Sequence, residues 1–186
     1  ACKDLDENEK QRTYHVFYWP LARSVSIERV ADGRSHTRES PTPAHTVDAI
    51  SWVYLVRSMP QEEGAVSTWY IEDGWILSQL TLVAQAEEEV WTPIGIYKTM
   101  RYDLYREKFE SKWPQGALAG VYVDPVLSVD TAKYFMGNVW ISQDELRIPV
   151  RLAIETKLGD IELSLRGYEP PSGLPPIATE APTASD

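Results

Sequence analysis

Apolar and polar positions alternate most regularly towards the end of the chain, where residues 137–168 read GNVWISQDELRIPVRLAIETKLGDIELSLRGY. Val139 and Ile141, then Val150, Leu152 and Ile154, then Ile161, Leu163 and Leu165 recur with a period of two. That spacing turns alternate side chains to one face of a pleated strand, so it predicts three consecutive strands with these residues against a core. Polar turns separate them, which makes an antiparallel meander. Upstream, residues 12–19 (RTYHVFYW) and 25–30 (VSIERV) are predicted as two paired strands, the second ending at Asp32-Gly33. Residues 34–45 contain Ser40-Pro41 and Thr42-Pro43 and read as an extended loop. Strands at 66–71 and 75–89 flank the hairpin signal Asp73-Gly74, and the alternation of the second arm slips near Ser78, as at a bulge. Thr92-Pro93-Ile94-Gly95 then turns the chain into a strand over 96–105.

One segment has helical spacing instead. Asp48 is a suitable N-cap, and Ile50, Val53, Tyr54 and Arg57 fall on one face of a helix over 48–58 that Met59-Pro60 ends. The expected fold is mainly β: a long, curved antiparallel sheet or a partly open barrel with one short helix packed against it.

Composition sets the limits of this picture. A chain of 186 residues with 43% hydrophobic and 25% charged residues suits one globular domain, placed here at 11–168. Residues 1–10 read as a flexible charged start, and 169–186 as a Pro-rich disordered tail without the apolar content to bury a core. The formal charge of −10 opposes phosphate attraction, so neither nucleic acid nor an anionic membrane surface is an expected partner. No apolar run reaches the ~18 residues that a transmembrane helix needs. The single cysteine, Cys2, has no internal disulfide partner. Ala1-Cys2 matches the tail of a bacterial lipoprotein signal, but a lipidated mature chain begins at its cysteine, so an ordinary cysteine is favoured over a lipid anchor.

Three blocks carry a family resemblance. Residues 48–60 (DAISWVYLVRSMP) hold Asp48, Ser51, Tyr54 and Arg57; residues 91–102 (WTPIGIYKTMRY) hold Thr92, Pro93 and Gly95; and residues 140–165 (WISQDELRIPVRLAIETKLGDIELSL) hold Trp140, Ser142, Asp144, Arg147 and Pro149. In this order they resemble the bacterial cell-envelope family known as domain of unknown function 3108, over about residues 10–168. The resemblance implies a periplasmic or outer-membrane-associated setting in a Gram-negative bacterium. It also implies a preceding pair of strands with a Gly-rich hairpin, to which nothing here corresponds, so the chain reads as the later portion of a longer domain. Residues 107–135 read as an insertion relative to the family.

Candidate chemistry is sparse. His15, His36 and His45 match no zinc spacing, and no nucleophile elbow or phosphate loop occurs. Glu87, Glu88 and Glu89 alternate between faces and read as a solvated turn rather than a cation site. Ser142 and Asp144 are expected to cap a turn, with Arg147 paired to a carboxylate. Tyr54 and Arg57 are expected on a packing face. Asp103, Asp124, Asp130 and Asp144 give no reason to be paired as catalytic acids. No catalytic residue, metal or cofactor is therefore assigned.

Most of the seven tryptophans should be core, with Trp113 the best candidate for exposure. Trp113, Tyr122, Tyr134 and Phe135 form the candidate binding surface. The expected function is a non-enzymatic cell-envelope binding or assembly module acting through a sheet edge and the insertion. Its partner would be another protein chain or the missing preceding strands. The alternative is a periplasmic carrier of a lipid or other hydrophobic ligand in the concave face of the sheet.

Overall fold

A computed structural model describes residues 2–7, 10–19, 23–73, 76–115, 124–156 and 159–168. Ten strands occur among them: β1 (Cys2–Glu7), β2 (Lys10–Trp19), β3 (Ser24–Ala31), β4 (Arg34–Pro41), β5 (Val66–Glu72), β6 (Leu77–Thr92), β7 (Gly95–Lys112), β8 (Val126–Ser142), β9 (Pro149–Thr156) and β10 (Gly159–Ser164). One short helix, α1 (Ala49–Leu55), continues into a 3-10 turn at Val56–Ser58. The strands form two antiparallel sheets, ordered β1-β2-β3-β4 and β10-β9-β8-β7-β6-β5. The expected mainly β class with one short helix holds, and neither strand order closes on itself.

Several local expectations are corrected. The charged residues 3–7, read as a flexible start, lie in β1, in register with β2 from Cys2↔His15 to Glu7↔Lys10. A strand at a sheet edge is held by its backbone ladder and needs no apolar alternation. For the same reason β4 was hidden: residues 34–39 are all exposed, yet β4 pairs with β3 throughout. The connecting Asp32-Gly33 has φ of 51° and 72°, the mirror-image turn that two-residue hairpins favour. Residues 107–112 and 126–135, expected within an insertion, continue β7 and β8. The tail at 169–186 and the turn residue Gly74 lie outside the described residues.

The described residues fall into two compact units, one drawn from 1–52, 69–80 and 107–133 and the other from 53–68, 81–106 and 134–186. In the first, Val16, Val25 and Ile27 form a buried cluster with Tyr18 against it. The Tyr18 hydroxyl donates to the Glu72 carbonyl, and burial raises its pKa, with Asp48, Glu72 and Asp73 adding to the shift. Arg23 pairs with Asp124 at 3.2 Å, and Ser111 donates to the Pro41 carbonyl at 2.6 Å. In the second unit, Val90, Tyr97, Trp140, Ile148 and Val150 form the buried cluster, with Ile94, Leu146, Ala153, Leu165 and Tyr168 packed on it.

The helix buries residues other than those its spacing suggested. Trp52 and Val56 are buried, whereas Ile50 is 69% and Tyr54 66% exposed. Trp52 and Val56 are also four apart, so an equally helical stripe wins. Tryptophan burial is lower than expected as well: Trp52 and Trp140 are buried, but Trp19, Trp91 and Trp113 are exposed. The meander differs at its last strand, because Ile161 and Leu163 are 50% and 58% exposed rather than in the core.

Asp48 caps α1 as its sequence suggests, accepting from the backbone N–H of Ile50 and Ser51 at 2.8 and 2.9 Å and from the Ser51 hydroxyl at 2.7 Å. Partial burial pushes the Asp48 carboxyl up, but these hydrogen bonds outweigh it and hold the pKa below the ordinary value. A carboxyl depressed by folding contributes its stability above the unfolded pKa and loses it as pH falls through the folded one. Asp48→Ala is therefore expected to cost about 1 kcal/mol at neutral pH. The difference from wild type in urea midpoint should shrink as the pH drops below the ordinary carboxylate range, and a pH-independent difference would contradict the cap assignment.

Gly137 in β8 sits at φ 151°, and a Cβ added there would stand 1.9 Å from the Ala153 carbonyl oxygen of β9. Backbone rather than a yielding side chain occupies that space. Gly137→Ala should destabilise the protein by about 2–4 kcal/mol. Thermal unfolding checks this, and an unchanged midpoint would show that the two strands do not approach so closely.

Candidate functional site

The residues that carry the family resemblance are brought together most closely at the β8–β9 turn. Ser142, 1% exposed, donates from its hydroxyl to Asp144 Oδ1 at 2.8 Å and accepts from the Ile148 N–H at 2.9 Å. Asp144 Oδ1 also accepts from the N–H of Leu146 and of Arg147, each at 3.0 Å. A hydroxyl and a carboxylate thus satisfy backbone donors of the turn at Leu146, Arg147 and Ile148. Gln61 Nε2 donates to the Ser142 carbonyl, Arg57 Nε to the Leu146 carbonyl, and the Arg147 guanidinium to the Met59 carbonyl. Tyr102 OH donates to the Pro60 carbonyl at 2.9 Å. Burial raises the Tyr102 pKa, and the neighbouring Arg147 opposes that rise.

The expected capping by Ser142 and Asp144 is present. Arg147, expected to meet a carboxylate, instead fastens the segment after α1. Its φ of 48° lies in the left-handed region, which follows from the tight turn. Arg57 holds the same turn through Leu146, whereas Tyr54 stands in solvent. Pro149 opens β9, where the missing N–H is tolerated, and lies opposite Ile141 beyond a register shift at Trp140/Ile141.

The other motif residues also close local structure. Thr92 accepts from the Ile94 N–H and donates to the Gly95 carbonyl, so Thr92-Pro93-Ile94-Gly95 is the turn between β6 and β7, with Gly95 at φ 144°. Trp140 Nε1 donates to Glu88 Oε2 at 2.8 Å, Arg101 pairs with Glu88 Oε1 at 2.7 Å, and the Arg151 guanidinium lies 4.9 Å from the Trp140 ring centroid. Glu88 is thereby separated from its neighbours, as the alternation of a strand requires; Glu87 accepts from Gln143. Among the described residues no group of three or more His, Cys, Asp or Glu is placed to hold a metal ion. The buried Tyr97 hydroxyl lacks a hydrogen-bond partner, and its pKa is raised by burial and by Asp144.

The candidate binding residues do not gather into one surface in either unit. Trp113 is exposed in the first unit; Tyr134 and Phe135 are at the margin of exposure in the second, where Phe135 meets Tyr105 edge-on at 5.7 Å. Tyr122 lies outside the described residues. Within the first unit a cleft of about 490 Å³ opens beside β7, and Arg38, Glu39, Glu110, Lys112 and Asp130 put charge on its wall.

One exposed apolar surface that the sequence missed lies on β10. Among the described residues this strand ends its sheet, with β9 as its strand neighbour, and all six of its residues are exposed. Ile161 faces Ile154 and Leu163 faces Leu152 across the β9–β10 pair, so one face of the edge is apolar. On the other face Asp160 lies opposite Glu155, and Glu162 pairs with Arg151 at 2.8 Å. The signal was present in the alternation itself, but alternation marks a two-faced strand and not which strand ends the sheet.

These features define a mainly antiparallel β protein whose motif polar groups lock turns and in which, among the described residues, β10 ends its sheet. The family model described as "Protein of unknown function (DUF3108)" matches residues 3–166, and the chain belongs to that family. No curated protein and no solved structure matches the chain. Among the described residues no helix is long and apolar enough to cross a membrane.

Ser142→Ala removes both the donor to Asp144 and the acceptor for the Ile148 N–H at a buried position. It should lower stability by about 1–3 kcal/mol. Asp144→Asn retains an acceptor oxygen and should cost less. Chemical denaturation of the two variants checks the order, and a larger loss for Asp144→Asn would place the lock elsewhere.

Proposed function

We propose that the protein is a non-enzymatic binding or assembly module of the bacterial cell envelope, and that it works by accepting a strand at the β10 edge. The exposure of Ile161 and Leu163 on the strand that ends the six-stranded sheet carries this reading. An edge strand offers backbone N–H and C=O groups to an incoming chain, and apolar side chains beside it supply the burial that makes such pairing favourable. The envelope setting rests on the family resemblance alone.

The carrier reading is the weaker of the two. It calls for an apolar cavity, and the 490 Å³ cleft carries the charges of Arg38, Glu39, Glu110, Lys112 and Asp130. Charged walls suit an acyl chain poorly, because each group would lose water without gaining a partner.

The edge is tested by comparing wild type with Ile161→Lys/Leu163→Lys in a binding assay against envelope extract. Lysine stems cover apolar surface while their ammonium groups stay in water, so the unfolding free energy should change by about 1 kcal/mol or less. Proteins retained by wild type should be lost with the double variant. Retention of the same set by both would sink the edge reading, and Trp113→Ala run alongside would show whether the exposed Trp113 holds the partner instead.

A further inference from the structure

We infer that the strand accepted by β10 alternates apolar with basic side chains, the basic ones facing Asp160 and Glu162. This rests on the edge reading above and adds the chemistry of the partner.

The argument begins with the β9–β10 register. Asp160 and Glu155 are directly opposed residues on the same face, and both are exposed. Like charges directly opposite each other on neighbouring strands repel. Glu162 is met by Arg151 at 2.8 Å, but among the described residues no ion pair reaches Asp160 or Glu155. A strand added to the open side of β10 places its own residue opposite Asp160, at the short separation of a cross-strand pair. A lysine or arginine there gives Asp160 an opposite charge at cross-strand distance and offsets its repulsion with Glu155. The residues before and after it in the same strand point to the other face, where Ile161 and Leu163 call for apolar partners. The two faces of β10 together therefore specify a basic-apolar alternation.

A second copy of the chain fits less well. Antiparallel pairing of β10 with its counterpart preserves the apolar face in two central registers. With Ile161 against Leu163, Glu162 meets Glu162; with Ile161 against Ile161, Asp160 meets Glu162. Both registers oppose carboxylates, in a protein whose net charge is −10. That charge favours a basic partner over self-association.

The test uses the full chain and four synthetic peptides. Three share the same alternating isoleucines and carry Lys, Ser or Glu between them; the fourth is a scrambled Lys peptide of equal charge without alternation. Hydrogen exchange reads protection of the amides at 159–164, and titration gives the relative affinities. The alternating Lys peptide should protect these amides and bind about fivefold more tightly than the Ser peptide. The scrambled peptide should leave them unprotected. Asp160→Lys should remove most of the Lys advantage while leaving the Ser peptide bound as before, and Asp160→Asn should give an intermediate loss.

Protection by the Glu peptide equal to that by the Lys peptide overturns the basic partner but leaves the edge reading standing. Absence of protection with every alternating peptide overturns both. Protection of 159–164 by self-association of the chain, seen as a doubled mass that Asp160→Lys does not alter, overturns the basic partner in favour of a second copy.

Discussion

The pairing of β9 with β8 decides which way every side chain points at the end of the six-stranded sheet. Because successive strand residues face opposite sides, a slip of one residue would exchange the buried and exposed sets of β9 and, through it, of β10. Two devices fix that register. Gly137 lets the strands approach where any side chain would strike the Ala153 carbonyl. Five residues along, the bond from the Ile148 N–H to Ser142 Oγ closes the turn, and the shift at Trp140/Ile141 absorbs the one irregularity between them. Val150 is then buried with Trp140, and Ile161 and Leu163 of β10 continue that same face beyond Ile154 and Leu152, where they are exposed.

What the sequence revealed were features determined by neighbours in the chain. The Asp48 cap, the Thr92–Gly95 turn and the Ser142–Asp144 turn all act over two to six residues, and each stands where its residue types indicate. The meander was legible from alternation alone. Features set by tertiary environment were not. Both Ile50/Tyr54 and Trp52/Val56 have helical spacing, and only the surroundings of α1 decide that the second pair is buried. β4 has no apolar stripe over its exposed residues 34–39, so its pairing is visible only in the Asp32-Gly33 turn that precedes it. Arg147 was assigned a carboxylate because ion pairing is the common fate of arginine near acids; the backbone carbonyl of Met59, 88 residues away in sequence, took its place.

The candidate site followed the same division. The motif residues are engaged in holding turns together: Ser142, Asp144, Arg57 and Arg147 make hydrogen bonds to backbone groups or to one another. Aromatic content drew the binding surface towards Trp113, Tyr134 and Phe135, since large rings are common in recognition surfaces. Exposure of Trp113 agrees with that choice. Yet Phe135 meets Tyr105 edge-on, and an exposed apolar face also belongs to the aliphatic residues Ile161 and Leu163 on β10. Residue type alone gave no reason to choose β10, because Ile161 and Leu163 look like core positions until the sheet is seen to end there.

The acids of β10 bear on the edge in two ways that share one cause. Proteins commonly place charges on terminal strands to keep identical edges from pairing, and Asp160 and Glu162 satisfy that need in a chain of net charge −10. Protection of this kind depends on sign. A carboxylate row repels another copy carrying the same row, but it attracts a strand with cations at the matching positions. Had the edge required protection alone, a charge on the apolar face would have been more effective, since it would have removed the surface that an incoming strand buries. Instead Ile161 and Leu163 keep that surface apolar while the charges lie on the opposite face. On the proposed reading, exclusion of like strands and admission of a complementary one arise from the same pattern, and the selectivity of the edge follows from its charge rather than from its closure.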